Sequence, residues 1–104
     1  MTAAESDFTY TTVDNTAMVT GYTGSETELV IPDTLGGYTV TSIGNRALWQ
    51  NQTFVSVTIP ETVTSIEEYA FWKCTALETV SIPGGVTKIG NSVFKDCSKL
   101  ANIT

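Results

Sequence analysis

The side chains with reactive potential are few: two cysteines, two tryptophans, a scatter of carboxylates and no histidine. The missing His removes the commonest general base, the Ser-His triads and the usual zinc-ligand sets together. Cys74 and Cys97 do not have the CxxC spacing of a thiol pair built for metal or redox work. Glu61, Glu67, Glu68 and Glu78 offer no D-x-D-x-D-G calcium loop, and adjacent Glu67 and Glu68 are expected to diverge as solvated surface. The glycine pairs at 36–37 and 84–85 have no GxGxxG or GxxxxGK context and serve turns. No catalytic residue, metal ligand or cofactor site is therefore expected, and the chain is not expected to be an enzyme.

Composition narrows the partners. The formal charge is −6, and the five basic residues Arg46, Lys73, Lys88, Lys95 and Lys99 are dispersed. Nucleic acid and anionic membrane surfaces both need clustered Lys and Arg, so neither is an expected partner. No apolar run approaches the roughly 18 residues that cross a bilayer, so direct membrane insertion is not expected. The opening "MTAAESDF" lacks the basic and apolar regions of a signal peptide. A chain of 104 residues is one small domain. Its Thr, Ser, Asn, Gly, Val and Ile favour strands and turns over long helices.

What positions these residues is a repeat. Sliding the chain by 23 residues superimposes Val40, Val63 and Val86, then Ile43, Ile66 and Ile89. Ala47, Ala70 and Val93 follow, and Leu48, Phe71 and Phe94, then Asn51, Cys74 and Cys97. Phe54, Leu77 and Leu100 complete the set with Val57, Val80 and Ile103. An earlier "LVIP" lies 28 residues ahead of its copy, and the excess falls in the Gly-containing "DTLGGYT", where an insertion costs little. "ETVSIP" alternates like a half-buried strand ended by Pro. "GGVTKIG" adds a turn and a second short extended piece. "NSVFKDCSKL" is predicted to form about one turn of helix or 3₁₀. A unit this short buries its apolar side only by stacking on its neighbours, with parallel strands building one curved sheet.

The stretches "IPETVTSIEEYAFWKCTALETVSIP" and "IPGGVTKIGNSVFKDCSKLANIT" carry a resemblance to the BspA-type leucine-rich repeat of bacterial surface proteins. "VTSIGNRALWQNQTFVSVTIP" is a weaker copy, with Leu48 for Phe and Asn51 for Cys. Glu67 replaces the Gly that the pattern has after Ile66. The resemblance implies a repeat solenoid, mainly β with short helical or 3₁₀ turns, curved as a right-handed leucine-rich-repeat arc. It also implies a non-catalytic protein-binding module, extracellular or at the cell surface, with extracellular-matrix or cell-surface partners. Residues 8–31 leave the period. "FTYTTV" and "AMVTGY" across "DNT" read as a β-hairpin, and 1–31 is expected to be the N-terminal cap of one domain whose residues 32–104 hold about three repeats.

Three surfaces follow from the repeat. Trp49 and Trp72 sit at equivalent places beside core Leu48 and Phe71. They either make an outward aromatic ridge for a partner or a sugar, or simply cover the convex side. Ser56 and Thr58 beside Thr79 and Ser81 form a polar strand face, the customary binding side of a solenoid. Leu100, Asn102, Ile103 and Thr104 form the last coil, expected to be open and to support a homodimer or the next coil of a longer array. The alternative to a binding module is a structural or self-assembling repeat unit without its own ligand. Cys74 and Cys97 are expected to be small buried apolar residues. Stacked coils would bring their Cα atoms within disulfide range, although parallel side chains keep Cβ atoms farther apart than a disulfide prefers. "NQT" is formally a glycosylation sequon, but Asn51 falls at a core-lining repeat position.

Overall fold

The computed structural model describes residues 4–104, in a body of 36 × 27 × 20 Å. A single 3₁₀ turn, Glu5–Asp7, leads into a hairpin of β1 (Phe8–Val13) and β2 (Thr16–Tyr22). Asp14 takes φ 55° at the tip, a conformation that Asp tolerates better than most residues. The strands that follow are β3 (Glu28–Val30), β4 (Thr34–Leu35), β5 (Tyr38–Ile43) and β6 (Ser56–Thr58). β7 (Ser65–Ile66), β8 (Thr79–Ser81), β9 (Lys88–Ile89) and β10 (Asn102–Ile103) complete the chain. Together they make a mostly β solenoid of about four turns.

The repeat builds two sheets, where a single curved one was expected. One runs β1-β2-β5-β7-β9 with β4 beside β5, and the other runs β10-β8-β6-β3. The reason lies inside each coil: its Pro and following turn end one strand, and the Val–x–x–Ile piece then pairs with its own copies. The registers repeat the period, with Ser42 on Ser65, Ser65 on Lys88, and Val57 on Val80. The insertion in "DTLGGYT" is a small hairpin of β4 against β5. Gly36 and Gly37 hold φ 59° and 85° at its tip, the pair of positive φ values that a tight two-residue turn needs.

The third side of each coil departs from expectation. No helix forms at 45–50, 68–73 or 91–96; these segments are hydrogen-bonded turns. Two residues in each lie in the left-handed region: Arg46 and Gln50, Tyr69 and Lys73, Ser92 and Asp96, all with φ between 54° and 60°. A helix cannot hold such residues in its interior. Their effect is to alternate the amides. Ala47 N–H donates back to Gly44 O within the turn, while Arg46, Leu48 and Gln50 N–H donate to Glu68, Ala70 and Trp72 O of the next coil. Tyr69, Phe71 and Lys73 repeat this onto Asn91, Val93 and Lys95. The turns thus form a ladder of their own, and inter-coil bonds replace those a helix would have kept to itself.

Within these three sides the apolar columns close on one another. Leu29, Val57 and Val80, and Ile43 and Ile66, are buried, as are Ala47, Ala70 and Val93. An aromatic spine threads the interior from the hairpin onward. Phe8 meets Tyr22 at 4.9 Å, Tyr22 meets Phe54 and Phe54 meets Phe71 at 6.5 Å each, and Phe71 stacks on Phe94 at 5.5 Å. Glu67 is accommodated where the repeat pattern has Gly. Its N–H donates to Ile43 O at 2.8 Å, as Gly44 does to Val19 O and Gly90 to Ile66 O at the same distance. The turn geometry is preserved.

Candidate functional site

The left-handed residues shape the turn side. In each of the first two turns a buried pair (Ala47 and Leu48, Ala70 and Phe71) points inward, and the next residue, Trp49 or Trp72, is turned out. Trp49 is 41% exposed and Trp72 is partly buried. Their rings lie 5.6 Å apart and 16° from parallel, so the ladder spacing stacks one indole on the other.

The stack is larger than the two tryptophans. Tyr69 packs against Trp72 at 5.2 Å. The Arg46 guanidinium lies over both rings, 5.0 Å from Tyr69 and 5.6 Å from Trp72, and Lys73 Nζ sits 4.8 Å from the Trp72 ring. The Trp72 indole N–H donates to Asp96 Oδ2 at 3.2 Å. Cations over an indole are held by the ring's negative face. Arg46, Tyr69, Lys73 and Asp96 were not singled out from sequence. A signal for them exists, since 46 and 69, and 50, 73 and 96, are equivalent repeat positions. It is weak, because the residue types at those positions differ from coil to coil.

Beside the stack lies a groove of about 540 Å³ lined by Gln50, Gln52, Lys73, Thr75, Asp96 and Ser98. These are two repeat positions taken from three successive coils, the second left-handed residue of each turn and the residue two further on. The lining holds two amides, two hydroxyls, one ammonium and one carboxylate.

The polar strand face forms in register. Ser56 lies beside Thr79 and Thr79 beside Asn102, and Thr58 beside Ser81. All are exposed except Ser56, which is partly buried. At the last coil Leu100 packs against the core, while Ile103 is 54% exposed, and Asn102 and Thr104 are open. Ile89, at the end of the other sheet, is 51% exposed.

The cysteines are free, with Cys74 buried and Cys97 partly buried. Each thiol donates at 3.0 Å to a carbonyl of the preceding coil, Cys74 to Leu48 O and Cys97 to Phe71 O. Asn51, in the equivalent place, is only partly buried. Its Oδ1 instead accepts the amides of Thr53 at 2.7 Å and Phe54 at 3.1 Å. The side-chain hydrogen bond shared with Cys74 lowers the Cys97 pKa from 9.0 to about 7, against the opposing effect of burial. Cys74 is raised, through that shared hydrogen bond and through burial. Glu67 and Lys88 approach at 3.9 Å on the surface, a pair of little energetic weight. Among the described residues, no group of three or more His, Cys, Asp or Glu is placed to hold a metal ion. Nor is any helix among them long and apolar enough to cross a membrane.

The model of the BspA type leucine rich repeat region matches residues 22–104 in six copies. A leucine rich cell surface protein from Faecalibacterium prausnitzii is 36% identical over 99% of this chain, with a TM-score of 0.77. This chain spans 30% of that protein's length. A leucine-rich repeat protein from Bacteroides capillosus is 25% identical over 94% of both chains, with a TM-score of 0.62. The T. pallidum leucine rich repeat protein is 18% identical over 99% of this chain and 71% of its own, with a TM-score of 0.60, a likeness of fold. No curated protein sequence matches the chain.

Proposed function

The chain belongs to the BspA-type leucine-rich repeat family, and from that premise we propose that it is a non-catalytic binding module of a bacterial surface protein, adhering to proteins of a host matrix or of another cell. The observation that carries this reading is the cluster of Arg46, Tyr69, Trp72 and Trp49 on the turn side. Trp, Tyr and Arg are the residues that dominate binding energy at protein interfaces, and here they lie together at the surface. The core does not require them, since Leu48 and Phe71 already fill the interior beside them. The name of the Faecalibacterium relative supports the surface location. The polar face of Ser56, Thr58, Thr79 and Ser81 is the second place a partner would contact, through hydroxyls and without an aromatic anchor.

Binding to immobilised extracellular-matrix proteins and to intact cells tests the reading. The expected outcome is saturable binding that Trp49→Ala weakens about tenfold, the loss of one interface anchor. Trp49→Ala should lower the melting temperature only slightly, because the residue is 41% exposed and lies outside the buried core. Unchanged binding by Trp49→Ala and Trp72→Ala, with assembly controlled by the last coil, would transfer the function to structure.

That second reading has its own observation. Ile89 and Ile103 end the two sheets at the same coil, each more than half exposed and each on an unpaired strand edge. A homodimer through this coil would cover both. Light scattering across a wide concentration range decides it: a concentration-dependent dimer abolished by Ile103→Lys supports it, and a strict monomer removes it.

A further inference from the structure

We propose that the groove beside the tryptophan stack binds a neutral oligosaccharide. This rests on the reading of the chain as a surface-binding module, and it names the chemistry of what is bound: a glycan carried by the partner.

The lining points to that chemistry. Sugar hydroxyls both donate and accept, and four of the six lining side chains do the same: Gln50, Gln52, Thr75 and Ser98. Lys73 supplies donors only and Asp96 acceptors only, so the groove carries no net charge. A sulfated or sialylated chain would find one ammonium opposed by one carboxylate, on a protein whose charge is −6. The volume of about 540 Å³ falls within the range of small-ligand sites. No aromatic ring is among the lining residues, but the tryptophan stack adjoins the groove. Lys73 and Asp96, which line it, both touch Trp72, and Trp49 continues the ring stack beside Gln50. Aromatic faces take the C–H face of a pyranose as polar side chains take its hydroxyls.

The same details disfavour an extended peptide. A peptide docking by its backbone needs unpaired strand amides. The alternate amides of Arg46, Leu48, Gln50, Tyr69, Phe71 and Lys73 are already bonded to the next coil. None of the six lining residues is a hydrophobic one of the kind that holds an anchoring apolar side chain.

The protein's two tryptophans stack beside this groove, so tryptophan fluorescence reports on it. Lactose, maltotriose, cellotriose and chitotriose are titrated against the intact chain, with sialyllactose as the charged probe and calorimetry as a second readout. The expected result is a saturable change with at least one neutral sugar, at a Kd on the order of millimolar. Trp49→Ala should weaken it about tenfold, and Asp96→Asn, which keeps a residue tolerant of the left-handed backbone, about fivefold. No saturable response from any neutral sugar overturns the proposal. So does a response confined to sialyllactose, or one that both variants leave unchanged. If Trp49→Ala weakens matrix-protein binding while no neutral sugar binds, the oligosaccharide site falls and the adhesion reading stands. If the sugars bind and matrix proteins do not, the site stands and the adhesion reading falls.

Discussion

The first and last coils of this solenoid are made from similar sequence and differ in how they are finished. At the N-terminal end the β1–β2 hairpin lies parallel to β5 through β2, and Phe8 closes over the core at 5% exposure. At the other end β9 and β10 each pair on one side only, and Ile89 and Ile103 are more than half exposed. The same apolar column is therefore buried or open according to whether a neighbour lies above it. In a stacked array a side chain's burial belongs to the interface between coils as much as to its own coil.

Four measurements would break or sharpen this comparison. Phe71→Ala empties the middle of the aromatic spine, where both neighbouring coils press on the ring, and should cost about 3–5 kcal/mol in denaturant unfolding. Phe8→Ala should approach that cost, whereas Ile103→Ala should cost about 1 kcal/mol or less, because the residue is already 54% exposed. Equal costs at the two ends would contradict the asymmetry.

Appending one further 23-residue coil after Thr104 tests the open end directly. Covering Ile89 and Ile103 should raise stability by about 1–3 kcal/mol, in line with the apolar area removed from water. No gain would mean that the exposed isoleucines are already tolerated at no cost.

The cysteine pair gives a smaller, pH-dependent effect confined to the later coils. Cys97 has a folded pKa near 7, below its ordinary 9.0, so its contribution is lost as pH falls through 7 and is complete above 9. Cys74 is raised, so its contribution is complete below its ordinary 9.0 and is lost progressively as pH rises above it. Stability should therefore rise between pH 7 and 9 and decline beyond, and Cys97→Ala with Cys74→Ala should remove the maximum. Thiol-reactive probes at neutral pH should label Cys97 and spare Cys74.

The smallest effect concerns backbone strain. Ser92 holds φ 58° in the last turn, and Ser92→Gly should stabilise by a few tenths of a kcal/mol to about 1 kcal/mol, since Gly enters that region without a Cβ clash. Destabilisation would show that the Ser side chain itself supports the turn.

Much of the architecture was readable from the chain alone. The recurrence of Val, Ile, Phe and Leu at one spacing determined a stacked solenoid, because a short coil with one apolar side has no other way to bury it. The alternating "FTYTTV" and "AMVTGY" across "DNT" determined the hairpin, since strand alternation and turn residues are local signals. The place of Trp49 and Trp72 after the buried Leu48 and Phe71 was also legible, with a ridge for a partner and a cover for the convex side both left open. What they do together was not: Arg46 and Asp96 reach Trp72 from the neighbouring coils, joining Tyr69 of its own turn.

Only the tertiary structure decided the third side of the coil. Adjacent apolar residues followed by one three positions on read as a helical turn, and locally they do suit one. The inter-coil ladder overrides that preference. The bonds from Arg46, Leu48 and Gln50 to the next coil go with a left-handed backbone at Arg46 and Gln50, and a helix would have spent those amides within its own turn. Propensity is a property of one segment, whereas the ladder exists only once coils are stacked. That is why the period could be read in advance, and why the conformation that makes the groove and the aromatic stack could not.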